Sequence, residues 1–472
     1  MKRNIVVLLL DTVRASDVYG NGSLPTLDYL YRNCASYSHA ISPGTWTATS
    51  HAALFANKNV SKIKEASQDF FTDGTDKIDP WMVKTKFLGN DAVTLAKGMS
   101  KHGYHSVLFS NNPFLTSFTN LAIGFDKIYD IWLDSNVKYN KSLVSKLSFI
   151  INGGAAARNA MFSMSASVAD MLPGPILDRV YLRLRQRLNE GVARADGTYK
   201  LDRGASDTNK ALKDYLTYKY NFKPQFMFMN FIEAHENYPI SRDVVQDKWL
   251  YLSGIREMRE DNMKELHRAY MRRIRYLDGA VSKTLHNLKA GGILDKATVV
   301  ITSDHGQFFG EHGLLYHSLP PYEQVSRVPL IAANYEDGKL VRDRESIDNP
   351  MTLLSLNKAF IDLAAEREPY LNGNLRKNRY VLSEHTGISE GWDEKLLRRL
   401  KGRSKNADII YKAKSMCNKK VTAIYRDNMK LMHFFGEKQD ELYNIAADPN
   451  EQENLISANR GLANRMRAAA LN

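Results

Sequence analysis

Residues 41–55 read ISPGTWTATSHAALF, and the interpretation of the whole chain begins from this stretch. Small hydroxyl residues come first, and the apolar run Ala52–Phe55 comes directly after them. The pattern predicts a loop that enters a helix N-terminus, where unpaired backbone N–H groups and the helix dipole attract an anion. The same hydroxyls are also ordinary N-cap candidates. Thr47 therefore becomes a candidate nucleophile only in combination with other segments.

Three further segments place acidic or imidazole side chains directly after apolar strands. These residues, with the strand before each, are Asp11 after Ile5–Leu10, Glu233 and His235 after Gln225–Phe231, and Asp304 and His305 after Thr298–Thr302. The C-terminal ends of parallel strands meet at one edge of a sheet, so we expect these side chains to converge. A divalent ion held there would acidify a hydroxyl nucleophile, as phosphoryl or sulfuryl transfer requires.

Predicted strands and helices alternate along much of the chain, which indicates a parallel sheet. Helices are predicted at residues 24–34, 91–102 and 262–289, and further strands at 106–110 and 328–332. We therefore predict an α/β fold with a large, mostly parallel sheet flanked by helices. Near the end of the chain, residues 421–435 form two apolar-alternating runs around Asp427-Asn428, which predicts a hairpin.

We divide the chain into a catalytic α/β domain, residues 1–335, and a small C-terminal α+β subdomain, residues 336–472. Over residues 131–219 the alternation of strand and helix breaks down. We interpret this part as a helical insertion over the sheet edge. Its basic run Arg179–Arg187 leaves a membrane-surface element open as the alternative.

The composition and net charge of the chain indicate which classes of protein it can belong to. The 43% apolar and 25% charged residues are typical of a globular protein, and 65 Lys and Arg against 52 Asp and Glu give +13, which favours an anionic substrate. Cys34 and Cys417 do not have metal-ligand spacing, so a reducing compartment is the simpler inference. The run Ile5–Leu10 is too short for a signal peptide or a membrane span. We expect a soluble, cytoplasmic protein with no membrane insertion and no nucleic-acid partner.

Six motifs are spread along the chain. They are IVVLLLDTVRASDVYG (5–20), SPGTWTATSHAALF (42–55), LAKGMSKHGYHSVLFSNNPF (95–114), FMNFIEAHENYP (228–239), VVITSDHGQFFGEHGL with YEQVSRVPLI (299–314 and 322–331), and ELYNIAADPNEQENL (441–455). In these motifs the chain resembles the sulfatase branch of the alkaline phosphatase superfamily over nearly its whole length. The resemblance implies the same α/β fold and an ester hydrolase activity.

The resemblance also implies roles for individual residues. The implied metal ligands are Asp11, Thr47, Asp304 and His305, with Thr47 acting as the nucleophile as well. His51 stands where the sulfatase signature has a basic residue, and His235 stands where the family has a substrate-contacting His. His317 lies where a substrate-facing basic group often comes after the Asp-His-Gly motif. We treat these three histidines, together with Thr47, as the candidate catalytic residues.

The chain departs from the sulfatase signature Cys/Ser-x-Pro-x-Arg, in which the Cys or Ser is oxidised to formylglycine. Thr47, Thr49 and His51 occupy the positions of Cys/Ser, Pro and Arg. A Thr nucleophile is similar to that of phosphodiesterases, lipoteichoic acid synthases and phosphoethanolamine transferases of the superfamily. Glu233-Ala234-His235 lacks the Asp-x-x-x-His spacing of two-metal relatives, so we predict one divalent ion. Mn²⁺, Mg²⁺ or Ca²⁺ suit the ligands, with Zn²⁺ as a further candidate.

We predict a metal-dependent hydrolase that cleaves phosphate or sulfate esters through a covalent Thr47 intermediate, with phosphoesters favoured because residue 47 is Thr. The alternatives are a sulfuric ester hydrolase acting on a sulfated glycan or small ester, and a phosphoglycerol- or phosphoethanolamine-type transferase. A non-catalytic anion-binding module is disfavoured, because the nucleophile and the ligand candidates occur together. The expected partner is an anionic sulfate- or phosphate-ester substrate.

Overall fold

The structure is a computed structural model. It describes residues 2–63, 87–89, 92–116, 119–131, 201–217, 223–238, 240, 244–371, 375, 379–387, 408, 411, 414–415, 418–437 and 439–471. Most of the predicted insertion, including Arg179–Arg187, lies outside the described residues, as does Cys417.

Strands and helices are numbered in chain order within the described residues. The strands are β1 Asn4–Leu10, β2 Ala35–Tyr37, β3 Ala40–Ile41, β4 His105–Ser110, β5 Lys127–Asp130, β6 Gln225–Phe231, β7 Lys296–Thr302, β8 Phe308–Phe309, β9 Leu315–Tyr316, β10 Arg327–Val328, β11 Leu330–Glu336, β12 Lys339–Leu340, β13 Glu345–Ile347, β14 Met351–Thr352, β15 Val381–His385, β16 Val421–Arg426, β17 Met429–Phe434 and β18 Glu441–Asn444. The helices are α1 Pro25–Asn33, α2 Thr47–Ala56, α3 Leu95–Lys101, α4 Ala205–Thr217, α5 Lys248–Leu252, α6 Glu260–Ala290, α7 Glu323–Ser326, α8 Ser355–Ala364 and α9 Arg460–Leu471.

The larger sheet has the order β13-β2-β11-β7-β1-β6-β4-β5, with β12 paired to β11. The strands β7, β1, β6, β4 and β5 pair in parallel, whereas β11 pairs antiparallel with β7 and β2. β1 has the sequence NIVVLLL and is buried along its whole length, as expected for a parallel strand that is covered on both faces. The prediction of an α/β fold with a large, mostly parallel sheet is confirmed.

Side-chain alternation along β1 divides the apolar residues between two cores. The even-numbered residues from Val6 to Leu10 join the core formed with α1, α4 and α6. The odd-numbered residues from Ile5 to Leu9 join the core formed with α2, α3 and α8. Helices thus cover both faces of the sheet, and its strand ends remain available for a site.

A smaller antiparallel sheet, β15-β16-β17-β18, lies near the end of the chain, and α9 packs against it. β16 and β17 form the hairpin predicted from residues 421–435. β13 pairs with β2 and β14 with β3, so residues 345–352 are joined to the larger part of the fold. The division at residue 335 remains a prediction.

Several element bounds differ from those predicted. α3 begins at Leu95 rather than at residue 91, because the Thr94 side chain caps the helix by accepting a hydrogen bond from the Lys97 N–H. α6 is longer than predicted, and β11 runs to Glu336 because it pairs with β7 along its whole length. Among the described residues, no helix is both long enough and apolar enough to cross a bilayer.

Candidate active site

Four segments with polar side chains follow the parallel strands at one edge of the larger sheet. Asp11 directly follows β1, and Asp304 and His305 follow β7, its neighbour. Asn112 follows β4, and His235 follows β6. Because these strands are adjacent and parallel, their C-terminal ends bring the side chains together, as the sequence pattern predicts.

Asp11, Asp304 and His305 form a compact group of metal-ligand atoms. Their donor atoms lie within 4.8 Å of one another, and all three residues are buried. The Thr47 hydroxyl oxygen lies 3.5 Å from Asp11 Oδ2 and 3.3 Å from His305 Nε2. His305 Nε2 is in turn 3.5 Å from Asp304 Oδ2. The structure therefore places all four predicted metal ligands in one cluster.

The donor set fits a divalent cation. The separations of 3.3–3.5 Å exceed a normal hydrogen bond. They match the distance of about 3.4 Å between neighbouring ligands of one ion, either tetrahedral at about 2.1 Å or octahedral at about 2.4 Å. Asp11 Oδ1 and Asp304 Oδ2 are buried and have no hydrogen-bond partner among the described residues, which is costly unless a cation compensates. Burial, and then the nearby Asp304 carboxylate, raise the pKa of Asp11 well above its usual value.

Thr47 is the first residue of α2, as the hydroxyl pattern of residues 41–55 predicts, and it is buried. His51, one turn later, donates its Nδ1–H to the Thr47 carbonyl oxygen at 2.8 Å. His51 Nδ1 also lies 3.7 Å from Asp304 Oδ2. Burial lowers the pKa of His51, so the ring is neutral at neutral pH. These contacts suit a residue that orients the first turn of α2, and a direct role for His51 in catalysis remains a prediction.

The turn that carries Asp304 and His305 is fixed by backbone contacts to α7. Gly306 N donates to Val325 O at 2.7 Å, and Gln307 N donates to Gln324 O at 2.8 Å. A Cβ atom at Gly306 would lie 2.2 Å from the same Gln324 oxygen, so only glycine permits this approach. The turn that carries Asp304 and His305 is therefore held against α7 before a metal ion binds.

His235 and His317 lie together beside this cluster, in contact with Glu236. The ring centroids of His235 and His317 are 4.9 Å apart, and those of His305 and His317 are 4.5 Å apart. Donor atoms of His235, Glu236 and His317 lie within 4.8 Å of one another. Burial lowers the pKa of both His235 and His317. The structure thus brings all the residues predicted to be catalytic or to bind metal into one region.

Glu233 does not join the site, although the sequence pattern pairs it with His235. Its Oε1 accepts hydrogen bonds from the N–H groups of Arg203 and Ala205, at 3.1 Å and 2.7 Å, at the start of α4. Arg203 Nη1 donates to His235 O at 2.7 Å, and Arg273 Nη1 donates to Glu233 O at 2.8 Å. The two arginines therefore fix the backbone that presents His235.

Sequence reasoning missed three residues of the site: Asn112, Glu236 and Gln307. Asn112 Nδ2 donates to Asp11 Oδ2 at 2.7 Å. Gln307 Oε1 accepts from His317 Nδ1 at 3.1 Å. The signal for Asn112 was its place directly after a predicted strand, within the motif that ends in Asn-Asn-Pro-Phe. Glu236 and Gln307 lie within sulfatase-like motifs, but no spacing rule marks them.

Comparison with known proteins gives sequence relatives among sulfatases. The family model "Sulfatase" matches residues 3–364 of the 472. The extracellular sulfatase SULF-1 homolog of Drosophila melanogaster is 26% identical over 155 residues, which cover 33% of this chain and 13% of that protein. N-acetylglucosamine-6-O-sulfatase of Bacteroides thetaiotaomicron is 27% identical over 232 residues, which cover 45% of this chain and 38% of that protein. The matches thus span less than half of either relative.

A solved structure shows the same fold over nearly the whole chain. The phosphonate monoester hydrolase of Agrobacterium radiobacter has a TM-score of 0.60 and 14% identity, covering 99% of this chain and 94% of that one. Because the sequence identity is only 14%, this comparison shows a shared fold and no more. The family match over residues 3–364 shows that the chain belongs to the sulfatase family, a family of ester hydrolases.

Proposed function

We propose that the protein is a metal-dependent hydrolase that cleaves phosphate or sulfate esters through a covalent ester on Thr47. The observation that carries this proposal is the position of the Thr47 hydroxyl, 3.5 Å from Asp11 Oδ2 and 3.3 Å from His305 Nε2. A hydroxyl at a corner of a metal-ligand cluster is an activated nucleophile. Sulfatase relatives and a phosphonate monoester hydrolase neighbour support the class of substrate.

Asp11, Thr47, Asp304 and His305 would hold the ion, for which Mn²⁺, Mg²⁺ and Ca²⁺ are the first candidates and Zn²⁺ a further one. When bound, the ion lowers the pKa of the hydroxyl and stabilises negative charge on the transferred group. Asn112 orients Asp11 through its hydrogen bond to Oδ2. His51 holds the Thr47 carbonyl, so the nucleophile stays at the start of α2.

The reaction proceeds in two displacements. Thr47 Oγ1 passes its proton to solvent water and attacks the phosphorus or sulfur atom in line, and the bond to the leaving oxygen breaks. That oxygen takes a proton from water or from an imidazole of the site. Water then attacks the same phosphorus or sulfur atom, and the bond to Thr47 Oγ1 breaks. Oγ1 takes up a proton, and the phosphate or sulfate leaves. His235 and His317 adjoin His305 and are the groups available to contact the oxygens of the transferred group.

Phosphate esters are the favoured substrates. Thr47 carries a methyl group on its hydroxyl carbon, so it cannot readily be oxidised to the formylglycine aldehyde of sulfatases. Thr49 and His51 also depart from the signature that surrounds the oxidised residue. Sulfate-ester hydrolysis is the second candidate, because both sequence relatives named above are sulfatases. Transfer to an acceptor alcohol instead of water would use the same first step.

A substrate panel tests the proposal. The full chain is assayed with an aryl phosphate, a bis-aryl phosphodiester and an aryl sulfate, before and after metal removal with a chelator. We expect metal-dependent turnover of a phosphorus ester, and none by Thr47→Ala. Equal turnover by Thr47→Ala would exclude the nucleophile. Metal-dependent turnover of the sulfate alone would select the second candidate, and turnover of no substrate would favour an anion-binding module.

A further inference from the structure

We propose that His235, Glu236 and His317 form a second cation site that takes Zn²⁺, beside the cluster of Asp11, Thr47, Asp304 and His305. This proposal deepens the proposed function. In this proposal the imidazoles of His235 and His317 bind a second ion, and that ion contacts the ester oxygens. It also revises the prediction of a single ion, which was argued from sequence spacing alone.

The distances within the group are those of ligands around one ion. Glu236 Oε2 lies 3.3 Å from His235 Nδ1 and 3.5 Å from His317 Nδ1. Good N–H···O hydrogen bonds are about 2.7–3.2 Å long. Two ligands bound tetrahedrally at about 2.1 Å are about 3.4 Å apart. The same range of separations occurs in the first cluster, at 3.3–3.5 Å.

Glu236 supplies an independent observation. Within the part of the chain that the structure describes, its Oε2 is buried and has no hydrogen-bond partner, and its side chain is 16% exposed. A carboxylate oxygen without a partner is costly in a buried position. The two nearest imidazole atoms do not satisfy it, because they donate elsewhere. A cation between the three side chains would compensate the carboxylate.

The donor set favours zinc. Two imidazoles and one carboxylate are the ligands of His₂Glu catalytic zinc sites, in which the fourth position stays open to water or substrate. The first cluster offers two carboxylates, one hydroxyl and one imidazole, which suit harder cations better. The two groups therefore differ in the ion that each prefers.

The surroundings hold the ligands in place. Arg203 Nη1 donates to the carbonyl oxygens of His235 and Glu236, at 2.7 Å and 3.1 Å. Lys248 Nζ donates to the carbonyl oxygen of His317 at 2.8 Å. Backbone fixed by such contacts positions metal ligands in advance of binding.

Binding should change the tautomer of both rings. His235 Nδ1 lies 2.7 Å from Glu236 O, and His317 Nδ1 lies 3.1 Å from Gln307 Oε1, so each Nδ1 carries its proton in the metal-free protein. A zinc ion takes a deprotonated nitrogen, so these two protons must leave and each ring becomes an Nε2–H tautomer. Nitrogen chemical shifts of labelled histidine report this change without any assay of activity.

The main test is zinc stoichiometry. The full chain is stripped with a chelator, equilibrated with buffered Zn²⁺ and measured by elemental analysis. We expect two equivalents in the wild type, one in His317→Ala, one in Glu236→Gln and one in Asp304→Ala. The matched control is His286→Ala, an exposed residue of α6, which should keep two. Thermal melting of each metal-free variant shows whether it is folded.

One equivalent in the wild type that folded His317→Ala also keeps would overturn the second site, as would two equivalents in folded His317→Ala and Glu236→Gln. Unchanged tautomers of His235 and His317 at zinc saturation would overturn it as well. These failures are separable from failure of the proposed function. A protein that binds one zinc ion and forms an adduct on Thr47 would support the proposed function and exclude the second site. A protein that binds two zinc ions, and whose Thr47→Ala variant is fully active, would support the second site and exclude the proposed role of Thr47.

Discussion

Arg14 and Glu311 form a two-point ion pair that joins the two segments carrying the proposed metal ligands of β1 and β7. Arg14 Nη1 donates to Glu311 Oε1 at 2.8 Å, and Nη2 donates to Oε2 at 3.1 Å. Arg14 Nε also donates to Gln307 O, two residues after His305. Because Arg14 lies three residues after Asp11, the guanidinium fixes the separation of ligands from β1 and β7.

Arg14→Met should weaken metal binding while leaving every ligand in place. Residues that orient metal ligands typically contribute 10- to 100-fold in affinity, so we expect a loss of about that size. Glu311→Gln, which keeps two polar atoms but loses the charge, should lose less. Calorimetric titration of the metal-free protein measures both. Arg268→Met, at an exposed position on α6, is the control, and equal affinities in all the variants would refute the positioning role.

Asp304→Ala and His305→Ala should abolish metal binding to the first cluster and activity without unfolding the chain. Asp304 raises the pKa of Asp11, so its removal relieves repulsion between buried carboxylates in the metal-free protein. Metal-free Asp304→Ala should therefore be at least as stable as the wild type in urea. The double variant should lose hardly more activity than either single one, because the residues act as a unit. A ligand assignment fails where the variant keeps wild-type metal content.

Glu233 should make the protein less stable as pH rises. Burial raises the pKa of this carboxyl from 4.5 to about 7, against the lowering effect of the hydrogen bond from Ala205 N. Between these values the unfolded chain has lost the proton and the folded chain keeps it, so the free energy of unfolding falls with rising pH. Glu233→Gln stays neutral and should remove this fall, on the order of 1 kcal/mol per pH unit.

Urea unfolding at several pH values between 5 and about 8 tests this expectation. The difference in unfolding free energy between Glu233→Gln and the wild type should grow up to about pH 7 and then level off. The exposed Glu257 provides the matched control, since Glu257→Gln should behave as the wild type does. Parallel curves for Glu233→Gln and the wild type would show that the carboxyl is ionised throughout.

Asp11 and Asp304 were predictable from the sequence because each lies at the C-terminal end of a buried parallel strand. Asp11 and Asp304 come after apolar runs, and parallel pairing of β1 and β7 is enough to bring their carboxylates together. Thr47 was predictable for a similar local reason, since its hydroxyl cluster precedes an apolar helix. These inferences need only the period of the hydrophobic pattern and the polarity of the residues next to it.

Residues whose role depends on a third segment were not predictable. Glu233 and Glu236 are both acidic and both flank His235, yet one caps α4 and the other faces His317. The direction of the loop after β6 determines which of the two carboxylates faces the site. Arg203 fixes that loop through its hydrogen bonds to the carbonyl oxygens of His235 and Glu236. No local pattern encodes such a contact between distant segments.

Lys430 should be one of the most sensitive positions for stability. It is fully buried in β17, and its Nζ lies 3.1 Å from Glu323 Oε1 and 2.6 Å from Glu451 Oε1. The ion cluster joins the smaller sheet to α7, which contacts the ligand turn. Lys430→Met would leave two buried carboxylates without their cation, which typically costs about 3–5 kcal/mol. Urea unfolding should show this loss, whereas Lys420→Met, at an exposed position, should be nearly neutral.

Variants of Thr47 should separate the proposed role of its hydroxyl as a nucleophile from its proposed role as a metal ligand. Thr47→Ala should remove essentially all turnover while keeping some metal, because Asp11, Asp304 and His305 remain and water can take the vacated position. Thr47→Ser keeps the hydroxyl and loses one methyl group, so it should retain appreciable phosphoesterase activity. Thr49→Ala is the matched control in the same helical turn, since Thr49 Oγ1 donates only to Trp46 O, at 3.1 Å.

Peptide mass spectrometry identifies the atom that reacts. Thr47 should be unmodified in the resting enzyme and should carry a phosphoryl or sulfuryl group after a quench during turnover, because hydrolysis of the Thr ester is a separate step. An adduct on Thr45 or Ser50 would mean that another hydroxyl of residues 41–55 attacks. Turnover without any adduct, together with full activity in Thr47→Ala, would instead require direct attack by water, and the hydroxyl at the cluster would then serve only as a ligand.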